Sequence, residues 1–256
     1  MAYVLDPERF KQQHGYEVEN VWYPRVTSIV QIKAKPALYR WYGNMASFAE
    51  GNVAKGKSAS EGTQIHNLIE QILLGEEPRV PVEFIPAAQA FLRFKRDKEL
   101  YTKPEWVEQR IRSHQHRYAG TMDVLARIGG KLGILDIKTS SAIYRDYNLQ
   151  TSAYLHAVNE SGFMNMKLEE PAETRWILRV DQERVCQRCG AKSRTKGGNE
   201  RVKGGDSFCQ HEWGPIVGVA EFQEFPEFEG DFQAFLSAKR LWEWENEEPL
   251  KAIGYL

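Results

Sequence analysis

Apolar residues recur along this chain in two rhythms. In the N-terminal part the period is helical. Asp6-Pro7 reads as an N-cap followed by a first-turn proline, opening a short helix that stops near Gly15. Thr27 and Ser28 are candidate caps for a second short helix, and Pro36 starts the next. Ser58 and Glu61 have capping-box spacing. After them Ile65, Leu68, Ile69, Ile72 and Leu73 share a helical face, and Gly75 ends the run. A further helix is predicted from residue 86 to about 100.

The rhythm then changes to short runs rich in Val, Ile and Leu, which predict strands over 105–113, 120–128 and 132–139. Gly129-Gly130 lies between the last two, a two-residue hairpin signal. A helix is predicted over 147–159, strands over 174–185 and 216–225, and a last helix with Phe232, Phe235, Leu236 and Trp242 on one face. Segment 186–213 holds all three cysteines and almost no aliphatic residues, and reads as an insert at a hairpin tip. The expected fold is α/β: a central mixed β-sheet flanked by helices, with a helical N-terminal part over 1–104 and a core over 105–256, in one compact domain.

Composition adds bounds. The 256 residues are 42% hydrophobic, enough for a packed core, and no run approaches the length of a membrane span, so no membrane partner is expected. The start MAYVLDPERF lacks the basic-then-apolar order of a secretory leader, so the expectation is a cytoplasmic protein. The formal net charge of −1 gives no bulk attraction to nucleic acid. A polyanion would have to be held by local patches or by a metal.

The chemistry concentrates in GTMDVLARIGGKLGILDIKTS. Asp123 precedes Gly129 by as many positions as Asp136 follows Gly130, so a two-residue turn sets the two aspartates opposite each other on antiparallel strands. Lys138 shares a face with Asp136 because strand side chains alternate. Two such close carboxylates repel unless a cation lies between them. A hard divalent ion such as Mg²⁺ answers this with oxygen ligands, and an adjacent lysine can orient an attacking water. A D-x-K in a strand is also compatible with a plain surface ion pair. Against that, Asp136 interrupts an apolar run, where a charge is costly without a partner.

These residues, with GTQIH upstream and QTSAY downstream, resemble the PD-(D/E)XK nuclease superfamily, and more narrowly its RecB-like exonuclease branch, related to CRISPR-associated RecB-like nucleases. The resemblance runs from YPRVTSIV to the terminal aromatic helix. It implies a restriction-endonuclease-like core and a Mg²⁺- or Mn²⁺-dependent deoxyribonuclease. The implied substrate is single-stranded DNA or duplex ends, and a helicase or recombination partner is compatible with the family. By the same resemblance Asp123, Asp136, His66 and the Ile137 carbonyl would hold the ion, and Lys138 would be the catalytic lysine. Gln150 and Tyr154 would set their helix and contact substrate near the scissile phosphate. Read without the family, Gln150 and Tyr154 share a helix face and suit ordinary helix-to-sheet packing. His66 suits a boundary position, Glu108 could support the site, and Thr139 and Ser140 could bind phosphate or cap a turn. A non-cleaving DNA-binding or structural subunit is the rival reading.

Cys186-x-x-Cys189 and Cys209-x-His211 use every cysteine in the chain, in a spacing that fits tetrahedral zinc. Some RecB-like relatives carry a four-cysteine iron–sulfur cluster with one N-terminal cysteine. That cysteine is missing here, so zinc is expected instead. Lys192, Arg194 and Lys196 make the insert basic, and it is expected to touch a nucleic-acid backbone. Trp22, Tyr23, Tyr39, Trp41, Tyr42 and Phe48, with Lys33, Lys35, Lys55 and Lys57 nearby, suit either base stacking or core packing.

Overall fold

A computed structural model describes residues 6–163 and 167–256. Residues 1–5, where the N-terminal leader reading begins, lie outside the described residues.

The chain opens as predicted with α1 (Pro7–His14), whose N-cap Asp6 accepts from the N–H groups of Glu8 and Arg9. It does not stay helical. A small antiparallel hairpin follows, β1 (Gly15–Val18) and β2 (Val21–Pro24), turned by Glu19 and Asn20, both at positive φ. α2 (Val26–Val30) begins before the proposed caps: Thr27 and Ser28 lie inside it, and Arg25 precedes it without a side-chain cap bond. α3 (Pro36–Gly43) starts at its proline. The 65–73 helix is part of a longer one, α4 (Phe48–Leu73), capped by Ser47 through the Glu50 N–H. Ser58 and Glu61 are therefore mid-helix and form no capping box. No proline interrupts 48–60, and helix continues wherever no stop signal acts. α5 spans Ile85–Asp97.

Seven strands build the main sheet: β3 (Val107–Ser113), β4 (Tyr118–Ile128), β5 (Lys131–Lys138), β6 (Thr174–Cys186), β7 (Lys192–Lys196), β8 (Asn199–Lys203) and β9 (Trp213–Glu224). Its order is β3-β4-β5-β6-β7-β8, with β9 also on β6. β3, β4 and β5 are antiparallel neighbours. β5 and β6 run parallel, joined through α6 (Tyr147–Ser161). The sheet is mixed, as expected.

Helices cover both faces. On one, α6 and α7 (Glu229–Glu245) bury Tyr154, Phe232, Phe235 and Trp242 against Tyr118, Met122 and Leu125, and α1 and α2 join them through Phe10, Val26 and Ile29. On the other, Ile65, Leu68 and Ile69 of α4 and Phe91 and Phe94 of α5 pack on Val124, Leu135, Ile137 and Leu178. The N-terminal part thus closes both sides of the sheet. A last short helix, α8 (Glu247–Ala252), was not signalled by periodicity. Among the described residues no helix is long and apolar enough to cross a membrane.

The 186–213 insert does lie between antiparallel partners, β6 and β9, but it is not a simple loop. It carries the β7–β8 hairpin, turned by Gly197 and Gly198 at φ 64 and 82. That left-handed pair is what a tight hairpin turn demands.

Candidate active site and metal centre

Pairing of β4 with β5 runs from Ile128↔Lys131 to Val124↔Leu135, and one step further sets Asp123 against Asp136. The carboxylates then reach different partners. Asp123 accepts the Ile137 N–H at 2.7 Å and lies 3.3 Å from His66 Nε2. Asp136, wholly buried, accepts from Lys138 Nζ at 2.7 Å and from Gln150 Nε2 at 3.1 Å. A residue's N–H and C=O leave a strand on the same edge. The Ile137 carbonyl therefore faces the Asp123 side too.

Two glycines make this convergence possible. Gly62 lies one turn before His66 on α4, and a Cβ there would sit 2.5 Å from Thr139 Oγ1. α4 can thus approach the end of β5 and deliver His66. A Cβ on Gly120 would sit 2.6 Å from the ring of Tyr154. Its absence lets Tyr154 lie flat on β4 and accept the second Gln150 Nε2 hydrogen at 3.0 Å. Tyr154 is 2% exposed. The expectation that it contacts substrate is therefore corrected: it holds Gln150, and Gln150 holds Asp136.

The electrostatics follow. Burial raises the Asp136 carboxyl, Lys138 opposes that, the Asp123 charge adds to it, and the result is about 6. Burial also pushes Asp123 up, but the His66 hydrogen bond and the Lys138 charge outweigh it and hold it below the ordinary value. Burial pushes His66 down, yet Asp123 overcomes this and raises it. Lys138 is raised as well, because its two aspartates outweigh its burial.

Two further acids stand at the site. Glu70, one turn after His66, and Glu108 bring carboxylate oxygens within 4.8 Å of each other and of a His66 nitrogen. Glu108 sits at φ 51 inside β3, where the register passes over it, and burial beside Asp123 raises it to about 7. Glu70 was missed, although H-x-x-x-E on a helix places both side chains on one face.

The divalent ion can be tested against this geometry. Asp136 Oδ2 is buried and meets the Lys138 ammonium at 2.6 Å, so the carboxylate is ion-paired through both oxygens. Carboxylates and an imidazole converging on one spot are a donor set that a divalent cation can use. The residues fit.

The cysteine insert forms a second cluster. Cys186 Sγ and Cys209 Sγ are 4.0 Å apart, Cys189 Sγ is 3.4 Å from His211 Nδ1, and all four ligand atoms lie within 4.8 Å of one another. Gly190, at φ 72, turns the chain after Cys189. Burial would raise the Cys186 thiol, but the Cys189 and Arg188 N–H groups aimed at it bring it down to about 6, toward the thiolate that binds metals. Three cysteines and a histidine at this spacing could hold a metal ion such as zinc.

The proposed DNA-contacting cations divide. Lys196 donates to the Thr139 carbonyl at 2.5 Å, beside Lys138. Arg194 also reaches that carbonyl, at 3.1 Å, but its charge is matched by buried Asp181. Lys192 is not at the site: it pairs with Glu183 at 2.8 Å and lines neither cavity found around Lys138. Lys192, Arg194 and Lys196 share one face of β7, but Lys192 begins the strand and lies farthest from the turn that follows Lys196. Ser140 caps its own turn through Ala142 O. Trp22 and Tyr23 are core residues, whereas Tyr39 and Phe48 are exposed. No family model matches the chain, and no curated protein matches it at a significant level.

Proposed function

We propose that this protein is a Mg²⁺- or Mn²⁺-dependent nuclease that hydrolyses phosphodiester bonds in DNA, acting on single strands or ends, with a PD-(D/E)XK core of the RecB-like type. One observation carries the reading. A buried aspartate ion-paired to Lys138 stands beside a second aspartate that meets His66, at the edge of a cationic cleft.

Asp123, Asp136 and His66, with the Ile137 carbonyl, would hold the ion, and Glu70 and Glu108 extend the acidic set. A bound divalent ion supplies Lewis acidity toward a phosphate oxygen and a lowered water pKa. The chain's own residues do the rest. Asp136 keeps Lys138 charged and pointed at the site. Lys138 orients the attacking water and balances the negative charge that grows on the phosphoryl oxygens. Gln150, fixed by Tyr154, keeps the Asp136 carboxylate from rotating away. His66 must be neutral to ligate, so protons compete with the ion.

At the cysteine cluster we assign zinc. The donors are soft and borderline, there are four of them within 4.8 Å of one another, and each belongs to the segment that carries β7 and β8. The test is cleavage of end-labelled single strands, duplexes and circles during Mg²⁺ and Mn²⁺ titration, with Lys138→Ala as control. Ion-dependent products from the native chain and none from the variant are expected. Absence of cleavage at every ion concentration overturns the reading in favour of a non-cleaving DNA-binding subunit.

A further inference from the structure

The two strands of the β7–β8 hairpin carry one aliphatic side chain, Val202, and it is exposed. Burial of apolar surface therefore does not hold the hairpin in place. Its links to the rest of the chain are polar, and they fall on the segment that follows Lys138. Thr139 O accepts from Lys196 Nζ at 2.5 Å and from Arg194 at 3.1 Å. Ser140 O accepts from Arg179 at 3.3 Å, and Ser141 O from Lys203 Nζ at 3.4 Å. Three successive carbonyls are met by cations from β6, β7 and β8, and hydrogen bonds from charged donors are the stronger kind.

β5 needs anchors at this end. Its last pair with β4 is Val124↔Leu135, and its last pair with β6 is Lys138↔Arg179. The Ile137 N–H already turns to a side chain, Asp123. Beyond Lys138 the chain is neither strand nor helix until α6 begins at Tyr147. Freedom in the Thr139 peptide would pass straight to Lys138. The hairpin tip also lies against α4. A Cβ on Gly62 would sit 2.5 Å from Thr139 Oγ1 and 3.3 Å from Lys196 Nζ, and the Gly197 N–H donates to Glu61 at 3.0 Å. One tip thus touches β5, which carries Lys138, and α4, which carries His66.

The hairpin itself is set at its base. β7 pairs with β6 at Arg184↔Ser193 and Val185↔Lys192, and among the described residues β8 pairs with β7 alone. Cys186 and Cys189 lie where the chain enters the hairpin, and Cys209 and His211 where it leaves. Gly205, at φ 74, folds the returning segment onto the first pair, since a Cβ there would sit 2.8 Å from Cys189 Sγ. An ion shared by the four ligands would close this base as a cross-link closes a loop.

From this we infer that the cysteine-bearing insert is an internal clamp on the active site. Metal at the cysteines fixes the hairpin, and Arg194 and Lys196 are positioning residues that hold the strand end bearing Lys138. The inference rests on the nuclease reading for what Lys138 does, and adds that one metal centre governs the order of the other site.

The test is hydrogen exchange of the full chain read by mass spectrometry, with no nucleic acid and no divalent ion but zinc. Zinc-loaded protein is compared with protein stripped by a chelator, and with Lys196→Met combined with Arg194→Met at full zinc content. In both, segment 136–146 should exchange about tenfold faster or more, the scale of one charge-assisted hydrogen bond lost, while the β3–β4 pair keeps its protection. Unchanged exchange of 136–146 in either case overturns the clamp. A uniform rise across the sheet on zinc removal does so too, since the metal would then hold the whole fold. Cleavage kinetics read the positioning role: Lys196→Met should lower kcat by about tenfold or more at constant KM, and Lys196→Arg, which keeps a donor, should restore most of it. A raised KM at constant kcat would make Lys196 a substrate contact and overturn that role. Exchange needs no cleavage, so a chain that shows the local release but cuts nothing would keep the clamp and lose the nuclease.

Discussion

Exchanging Lys138 for methionine keeps the aliphatic stem and removes the charge, which isolates what the Asp136–Lys138 pair contributes to folding. Asp136 is fully buried, and Lys138 Nζ lies 2.6–2.7 Å from its two oxygens. Even with that ammonium in place, burial lifts the Asp136 carboxyl to about 6. An acid raised above its unfolded value of about 3.9 costs stability as pH rises through that interval, about 3 kcal/mol here once pH exceeds 6. Without Lys138 the folded value rises further, and the charged form is left with Gln150 alone as donor. Breaking a buried pair from one side costs about 3–5 kcal/mol. Urea unfolding followed by tryptophan fluorescence, with zinc present and no other divalent ion, should therefore show a loss of about that size at pH 8. At pH 5 most of it should return, because Asp136 then takes a proton and no charge is stranded. Equal losses at both pH values would refute the reasoning, since they would mean the lysine stem, not its charge, was what mattered.

Other outcomes follow from the same geometry. Gly120→Ala places a methyl 2.6 Å from the Tyr154 ring. Overpacking of this kind costs about 1–3 kcal/mol, and cleavage should fall with stability because Gln150 loses its anchor; unaltered urea midpoint and rate would contradict this. Asp136 and Glu108, raised to about 6 and about 7, carry protons near neutrality in the ion-free protein. Mn²⁺ binding should therefore weaken as pH falls from about 7 to 6 and release protons, read by calorimetry in buffers of different ionisation heat; zero release would count against these ligands. Cys209→Ser should lower bound zinc below the native content and reduce the melting temperature, measured by atomic emission and calorimetry; full metal content in the variant would remove Cys209 from the site.

Much of the architecture was legible because burial writes period into sequence. The antiparallel pair around Gly129-Gly130 and its register could be counted from the turn, and the helix after it from its spacing. Elements lacking such a signal were lost. β1 and β2 are too short for a period to develop, and their turn uses Glu19 and Asn20 instead of glycine. β7 and β8 have no apolar alternation because their partners are polar backbone and acids, although Gly197-Gly198 was a readable hairpin turn. The N-terminal half of α4 was hidden because its exposed, polar surface faces the cleft. Asp123, Asp136, Lys138 and His66 were visible as types in a spacing, and the structure pairs Asp123 with His66 and Asp136 with Lys138. The role of Tyr154 was not, since whether a tyrosine is buried beneath a site or exposed within it depends on tertiary packing over Gly120. The convergence of Glu70 with Glu108 depends in the same way on how α4 lies against β3.

The most direct measurement is anomalous scattering from crystals of the intact protein soaked in Mn²⁺. The expected result is a manganese peak in coordinating contact with Asp123 and Asp136 on the His66 side, lost in Asp136→Asn. A map with no peak between those carboxylates would contradict the assignment, and so would one whose only peak lies at the cysteines.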